Sequence, residues 1–381
     1  MHGMQGLVAG VFIVLAMQCA VAQEEPPENH VTFYTTYGFL SEGAWNIPLK
    51  VWVHEEPDFI RRLAAKTALG QIQDRAELPA LTAEMEARYV FRTHDFVADS
   101  ESREKVTLSF DDDPQGRIFE IRDATGEQGT DRNGLIDGLL RLLPGEAESL
   151  LSAQGSEDGW LTFRAVSENH GGVGRVRLIA PHGVSVVSDV DDTIKITEIP
   201  AGEQAVLNNT FFREFRATPC TAAMYSGMSH DTAFHYVSGG PWQMYRPLQE
   251  FLVSSDAGFP EGSFHMKDVR TNPFESESYR DIWKLIASGS QAVTYEQKLA
   301  QISRLFTQFP GRTFILVGDS GEKDPEIFRS IRESFPAQVD EIRIRDVVNA
   351  LEDDQKRLAG MTVILPESNA DGSCALIRRD D

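Results

Sequence analysis

The 381-residue sequence predicts an α/β fold: a doubly wound, mostly parallel sheet, preceded by a smaller β-rich, sandwich-like domain. Three observations carry this. From about Gly183 onward, strand-like and helix-like stretches alternate, the rhythm of a parallel sheet covered on both faces. Before that point the strands are short, alternate apolar with polar residues, and are separated by Asp-, Gly- and Asn-rich turns. The composition, 41% apolar and 25% charged, supplies enough core material to exclude a largely disordered chain.

Residues 1–22 contain no Asp, Glu, Lys or Arg; an apolar run from Leu7 to Met17 leads into Ala20-Val21-Ala22. This reads as a signal peptide cut near Ala22, and hence a periplasmic or secreted protein. The run is shorter than the roughly 20 apolar residues of a membrane-spanning helix, and no segment of the mature chain is apolar for long enough to span a bilayer. Residues 23–180 form the expected β-rich domain. Pro48–His54 and Lys105–Phe110 are its clearest strands; Ile118–Ile121, Trp160–Ala165 and Gly174–Ile179 are further ones. A charged helical insertion runs from about Pro57 to Ala87. Asp131-Arg132-Asn133-Gly134 resembles the start of a calcium loop, but the remaining ligand spacing is missing, and a plain turn is the better reading. The run Asp111–Asp113 reads as a solvated turn.

The expected α/β domain, 181–352, begins with the largely apolar Gly183–Val190, a strand of the kind buried in parallel sheets. Phe234–Ser238, Ser263–Lys267, Arg312–Gly318 and Val339–Ile344 follow as strands. Between them, Leu299, Ile302, Leu305, Phe306 and Phe309 mark one face of a helix from Gln291 to Phe309. Asp324 is placed to N-cap another, with Pro325 in its first turn. Residues 353–381 read as a charged surface tail. Cys220 and Cys374 remain in the mature chain; a disulfide and two unpaired thiols are both open. Phe211, Phe212 and Phe215 fit core packing better than a lid over a lipid tail. Trp242 and Tyr245 start a helix packed on the sheet, and His235 and His265 fit satisfied core positions.

Chemistry gathers where loops leave the carboxyl ends of parallel strands. The first strand ends in Ser188-Asp189-Val190-Asp191-Asp192-Thr193, the second in Ser238-Gly239-Gly240-Pro241, and the fourth in Gly318-Asp319-Ser320-Gly321-Glu322-Lys323-Asp324. Carboxylates brought together repel and raise one another's pKa. Mg²⁺, a hard cation taking oxygen ligands, resolves this, so Asp189 and Asp319 predict a shared metal although they lie 130 residues apart. A carboxylate beside Mg²⁺ can attack phosphorus and form an aspartyl-phosphate. Asp191 could protonate the leaving oxygen and later deprotonate water. Ser238, the amides of Gly239 and Gly240, and a lysine, Lys298 or alternatively Lys323, could hold the phosphoryl oxygens.

Asp189-Val190-Asp191-Asp192-Thr193 resembles the D-x-D-x-T motif of the haloacid dehalogenase-like hydrolases, and Ser238, Lys298 and Gly318-Asp319…Asp324 resemble their remaining motifs. The longer stretches Ser188–Lys195, Tyr236–Gln243 and Val317–Glu326, with Asn209-Thr210-Phe211 and His265–Arg270, are similar to the catalytic domain of the actin-patch-associated, Mg²⁺-dependent phosphatidate phosphatase family. This likeness spans about Arg175 to Asp346. It implies a haloacid dehalogenase-like sheet and hydrolysis of phosphatidate to diacylglycerol and phosphate. It further implies Asp189 as nucleophile and metal ligand, Asp191 as general acid/base whose main-chain carbonyl also binds the metal, and Asp319 as the matching carboxylate ligand. Asp324 would support the metal, Ser238 and Lys298 would hold phosphoryl oxygens, and Thr193 would steady the first loop. A signal peptide is foreign to cytosolic fungal members, so their actin-linked role is not carried over. The Gly-Gly pair after Ser238 also departs from the family pattern.

Two alternatives remain: a phosphomonoesterase for a soluble substrate, and a non-catalytic binding module. The intact set Asp189, Asp191, Asp319 and Lys298 weighs against the second. With 58 acidic against 36 basic residues the formal charge is −22, which disfavours nucleic acid and broad electrostatic docking on anionic lipid, leaving room only for a local basic patch.

Overall fold

The computed structural model describes residues 27–254, 257–268 and 291–379. The expected signal peptide, and Val269-Arg270 of the family-like stretches, lie outside the described residues.

The first half is built on the twelve-residue strand Ala44–Glu55, which pairs antiparallel with Asn29–Phe33, Thr36–Ser41 and Leu135–Leu142. Among the described residues the strands of this half join into one ten-stranded sheet rather than two separate ones. It still behaves as a sandwich would, because Ile47, Leu49 and Val51 from one side meet Leu161, Phe163 and Val176 from the other in a single core. The helical insertion is two helices, Phe59–Arg75 and Ala83–Val97. The Asp58 carboxylate accepts from the Arg61 amide at 2.7 Å at the start of the first. The second runs past its expected end because Tyr89, Phe96 and Val97 keep a buried face.

The second half holds a seven-stranded sheet in the order Ser263–Lys267, Ala233–Pro241, Gly183–Asp189, Arg312–Asp319, Val339–Arg345, Thr362–Ser368 and Cys374–Arg378. Every neighbouring pair is parallel except the last. Successive residues point to opposite faces. Val186, Ile315 and Val317 pack into one apolar layer with Leu248 and Phe251 of helix Tyr245–Val253. Val187, Phe314 and Leu316 pack into another with Ile302 and Phe306 of helix Gln291–Gln308 and Ile327 and Phe328 of helix Asp324–Ser334. From Gly183–Asp189 the chain builds outward on one side, then returns to build on the other. The reversal falls between the strands ending at Asp189 and Asp319, where open α/β sheets form their binding crevice.

Two expectations change and one open alternative closes. The segment after 353 is not a surface tail: Thr362–Ser368 extends the parallel sheet and Cys374–Arg378 pairs back on it. Val363 and Ile364 are buried, and that apolar pair gives the strand its reason to pack. Cys220 and Cys374 form a disulfide across 154 residues, tying this hairpin to the start of helix Thr221–Ser226. Asp324 is the first residue of its helix, and the residue before it, Lys323, takes the cap position without a side-chain bond. The Asp324 carboxylate is engaged across the site instead.

Phe211 and Phe212 are buried with Tyr89 and Leu207, as core packing requires. Trp242 and Tyr245 are buried against the first half of the chain: Trp242 lies edge-on to Trp52, and the Tyr245 hydroxyl accepts from the Thr35 amide at 2.8 Å. His235 and His265 both reach the Ser263 hydroxyl, at 2.7 and 3.0 Å. Burial lowers both imidazoles, His265 to about 4.

Candidate active site

Asp189 ends its strand buried, 3% exposed, and its two oxygens are already assigned. Oδ1 accepts from Lys298 Nζ at 2.6 Å and Oδ2 from the Thr193 hydroxyl at 3.0 Å. The chain then turns sharply. Asp192 sits at φ 56°, in the left-handed region, and its carboxylate accepts the amides of Thr197, Glu198 and Ile199 at 2.8, 2.6 and 2.6 Å. Asx-type capture of following amides is what lets Asp tolerate that backbone. Asp192 thus shapes the loop and so places its neighbours.

Asp191 faces the crevice beside Lys195 and Thr197. Lys195 Nζ lies 2.8 Å from its Oδ1, and the Thr197 hydroxyl donates to the same oxygen at 2.6 Å. Burial alone would raise this carboxyl, but the ammonium and the hydroxyl more than offset it and hold it below the usual carboxylate range. Lys195 and Thr197 carried no expected role. The signal available in sequence was only an i,i+4 lysine after an acid in an apolar loop, which is common on solvated surfaces.

Asp319, fully buried at the end of the adjacent strand, accepts the Gly321 and Glu322 amides on Oδ1 at 2.6 and 3.1 Å. Its Oδ2 is buried with no hydrogen-bond partner. Oxygens of Asp189, Asp319 and Glu322 all lie within 4.8 Å of one another, and this is the group found among the described residues that could hold a metal ion. Glu322 is the member that sequence reasoning passed over, although it stood inside the quoted motif. Asp324 is not in that group. It accepts from Lys298 on Oδ1 at 2.9 Å and from the Asp319 amide on Oδ2 at 3.3 Å, so it orients the cation and the ligand beside it. Only glycine fits at 318, because an added Cβ would collide with the Asp324 carboxylate.

Lys298, 2% exposed, also donates to Glu322 at 3.1 Å. Lys323 also lines the cavity but is exposed, whereas Lys298 Nζ reaches the Asp189 carboxylate, which decides between the two candidate lysines. Burial opposes the Lys298 charge, but Asp189, Asp324 and Glu322 around it keep it protonated. Burial, followed by the neighbouring carboxylates, pushes Asp319 up, and Asp189 and Glu322 are likewise raised despite Lys298. An orphaned buried oxygen and three raised carboxyls in one crevice fit a hard divalent cation, which would bring all three down together.

Ser238 lies at the crevice, 1% exposed, and its Oγ accepts from the Gly240 amide at 3.0 Å, leaving its own proton to give. A Cβ at Gly239 would come within 2.8 Å of Thr294, one turn from Lys298, so glycine at 239 lets that helix close on the strand end. These residues line a cavity of about 290 Å³ with Asp191, Lys195, Thr197, Lys298 and Glu322 on its polar side and Ile199, Val206, Met244 and Leu248 on its apolar side.

Residues 184–346 match the family model described as the catalytic domain of phosphatidate phosphatase APP1. The chain is 30% identical over 179 residues to phosphatidate phosphatase APP1 of Saccharomyces cerevisiae, covering 46% of this chain and 28% of that protein. It is 24% identical over 184 residues to an uncharacterized protein of Schizosaccharomyces pombe, covering 46% of this chain and 27% of that one. The chain therefore spans less than a third of the length of these curated relatives. A solved carbohydrate esterase overlays with a TM-score of 0.22 at 11% identity, covering 84% of this chain and 88% of that one, too poor a fit to carry an argument. The family likeness read from the motifs is borne out over a segment containing every motif residue from Asp189 to Asp324.

Proposed function

We propose that residues 181–352 form a haloacid dehalogenase-like phosphatase unit that hydrolyses phosphatidate to diacylglycerol and phosphate with Mg²⁺. The observation that carries the reading is the convergence of Asp189, Asp319 and Glu322 around the unpartnered Asp319 Oδ2, with Lys298 held against the nucleophile. Asp189, Asp319 and Glu322 would hold the Mg²⁺, with the Asp191 main-chain carbonyl as the likeness implies. When bound, the ion would neutralise phosphoryl charge and keep the nucleophile ionised.

Asp189 attacks phosphorus; the bond to the leaving glycerol oxygen breaks, and Asp191 hands that oxygen a proton. Asp191 rests as a carboxylate oriented by Lys195, 2.8 Å away, and must take up a proton from solvent before the first step. In the second step Asp191 takes a proton from water, which attacks the aspartyl-phosphate and releases Asp189. Lys298, Ser238 and the amide of Gly239 steady the transferred oxygens, while the Gly240 amide holds the Ser238 hydroxyl. The Cys220–Cys374 disulfide supports placement in the periplasm or outside the cell.

The 290 Å³ cavity gives weight to a second reading, a small soluble phosphate ester, because it lies at the floor of the roughly 300–1,000 Å³ that hold drug-sized ligands. Phosphate release from phosphatidate in detergent micelles, from glycerol 3-phosphate and from p-nitrophenyl phosphate, each with Mg²⁺ and with a chelator, decides between them. Faster Mg²⁺-dependent release from phosphatidate is expected. Release from the soluble esters alone would install the second reading, and no release from any would leave a binding module.

A further inference from the structure

Thr210 lines the cavity from the short π-helix Asn208–Phe212, in the segment that follows strand Gly183–Asp189. Such widened turns recur at functional sites, and the end of any helix leaves carbonyls without partners inside it. Here the donors come from the other half of the molecule. We infer that Arg92, on helix Ala83–Val97 of the β-rich half, is a positioning residue for the proposed phosphatase site, where it fixes the loop that carries Asp191.

Arg92 is buried, and its Nη1 donates to the Thr210 carbonyl at 2.9 Å and to the Arg213 carbonyl at 2.7 Å. Arg88, one turn earlier, donates to the Phe212 carbonyl at 3.3 Å, and the Tyr89 ring stacks on Phe212. The π-helix held in this way reaches the active-site loop through Asn209. Its Nδ2 donates to the Thr197 carbonyl at 3.0 Å and to the Glu198 carboxylate at 2.8 Å. Thr197 in turn donates its hydroxyl to Asp191. A second route starts at the same guanidinium. Arg92 Cζ lies 3.6 Å from the centroid of the Phe215 ring, and Lys195 Nζ lies 5.0 Å from that centroid. Both distances are within the reach of cation–π attraction. The residues after Phe215 pair with the loop itself: the Ile196 amide donates to the Arg216 carbonyl at 2.9 Å, and the Thr218 amide to the Ile194 carbonyl at 3.0 Å. Lys195 is the ammonium set against Asp191. The two side chains that hold the Asp191 carboxylate therefore both trace back to Arg92. A misplacement of about 1 Å can cost about 10²-fold in rate, so a fixed guanidinium behind the general acid has something to protect. Arg92 lies outside the segment 184–346 that the family model matches, which gives the β-rich half a part in the site.

The test compares the full chain with Arg92→Met, which keeps length but loses the donors, with Arg92→Lys and with Phe215→Leu. Leu161→Ala, in the core of the first half, controls for lost stability alone. Amide hydrogen exchange across residues 191–199 should quicken severalfold in Arg92→Met and Phe215→Leu, and stay near wild type in Leu161→Ala. The second readout rests on the reading of Asp191 as general acid. The alkyl leaving group of phosphatidate, or of glycerol 3-phosphate under the second reading, needs a proton, whereas p-nitrophenolate leaves without one. In Arg92→Met, kcat/KM should fall about tenfold for the alkyl ester and about twofold for p-nitrophenyl phosphate. Arg92→Lys should recover most of that loss, and Arg92→Met should add little to Asp191→Asn, as expected when one residue acts through the other. Equal falls on both esters, the same contrast in Leu161→Ala, or unchanged exchange would overturn the inference. Should Arg92→Met not fold, Phe215→Leu supplies the same contrast. Quickened exchange in a protein whose wild type hydrolyses no phosphate ester would sink the proposed function and leave Arg92 as the residue that positions the loop.

Discussion

Asp-rich turns occur in both halves of this molecule, and they end in opposite electrostatic states. In the first half, Asp113 lies 2.9 Å from Arg117, four residues on, and Asp111 lies 2.7 Å from Arg164 across the sheet. Hydrogen bonds from Arg117 hold the Asp113 carboxyl at about 2. Asp123 and Asp131 likewise turn back on local amides, at 2.8 and 2.7 Å. In the second half, Asp189, Glu322 and Asp324 share Lys298, and Asp189, Asp319 and Glu322 are pushed up by burial and by one another. The density of acids is similar. What differs is whether each carboxylate meets its own partner, on its own turn or on the next strand, or whether strands from distant parts of the chain deliver several to one dry place. Antiparallel hairpins return the chain locally and favour the first outcome; parallel strands send all their ends to one edge and favour the second.

The sharpest way to break this contrast is at Asp189, the proposed nucleophile. Asp189→Asn should lower phosphate release by at least about 10³-fold, whereas Asp113→Asn, which also loses a buried carboxylate, should leave it within about twofold. Equal effects from the two would erase the distinction. Next in size, Asp319→Asn should cost about 10²-fold in turnover and abolish stabilisation by Mg²⁺, followed as melting temperature.

The pH dependence of that stabilisation sharpens the comparison further. Carboxyls whose folded pKa is raised stabilise the metal-free fold at low pH, and that contribution is lost as pH rises through the folded value. The proposed Mg²⁺ would bind the ionised forms, so it should raise the melting temperature by about 5 °C at pH 7.5 when at roughly a hundred times its Kd, and by less at pH 5. A shift as large at pH 5 would contradict the raised carboxyls.

Lys195→Met should lower kcat about tenfold, leave KM and the Mg²⁺ shift unchanged, and cost about 3 kcal/mol of stability, because it strands the Asp191 carboxylate. An unchanged kcat would confine Lys195 to folding. The smallest effect on turnover is expected from Cys220→Ser with Cys374→Ser. Activity should hold while denaturant unfolding loses about 2–4 kcal/mol, from releasing a 154-residue loop.

Much of the site could be read before the fold was known. Asp189, Asp191, Ser238, Lys298 and Asp319 were expected together, and they line or lie beside one crevice. Strands from Gly183 onward stand within a residue or three of their expected places, since a buried parallel strand announces itself as an apolar run. Less legible were the partners of those side chains. Asp324 faces Lys298 rather than its own helix start, Glu322 enters the oxygen cluster, and Lys195 and Thr197 grip Asp191. The terminal hairpin was missed because its strands are short and set among Asp, Gly and Ser, and its pairing partner lies on the edge of a sheet assembled elsewhere.

Residue order alone therefore decided the apolar runs, the helix faces and the supply of carboxylates, hydroxyl and amine at strand ends, because these depend on periods of two and of about 3.6 residues. Tertiary structure decided which oxygen faces which cation. Beyond a strand's last residue, direction is set by loop backbone, here by Asp192 at φ 56° held on three amides, and by the neighbouring strand 130 residues away that brings Asp319 alongside. A pattern confined to a few consecutive positions carries no information about that distance, and buried charges respond to distance before anything else.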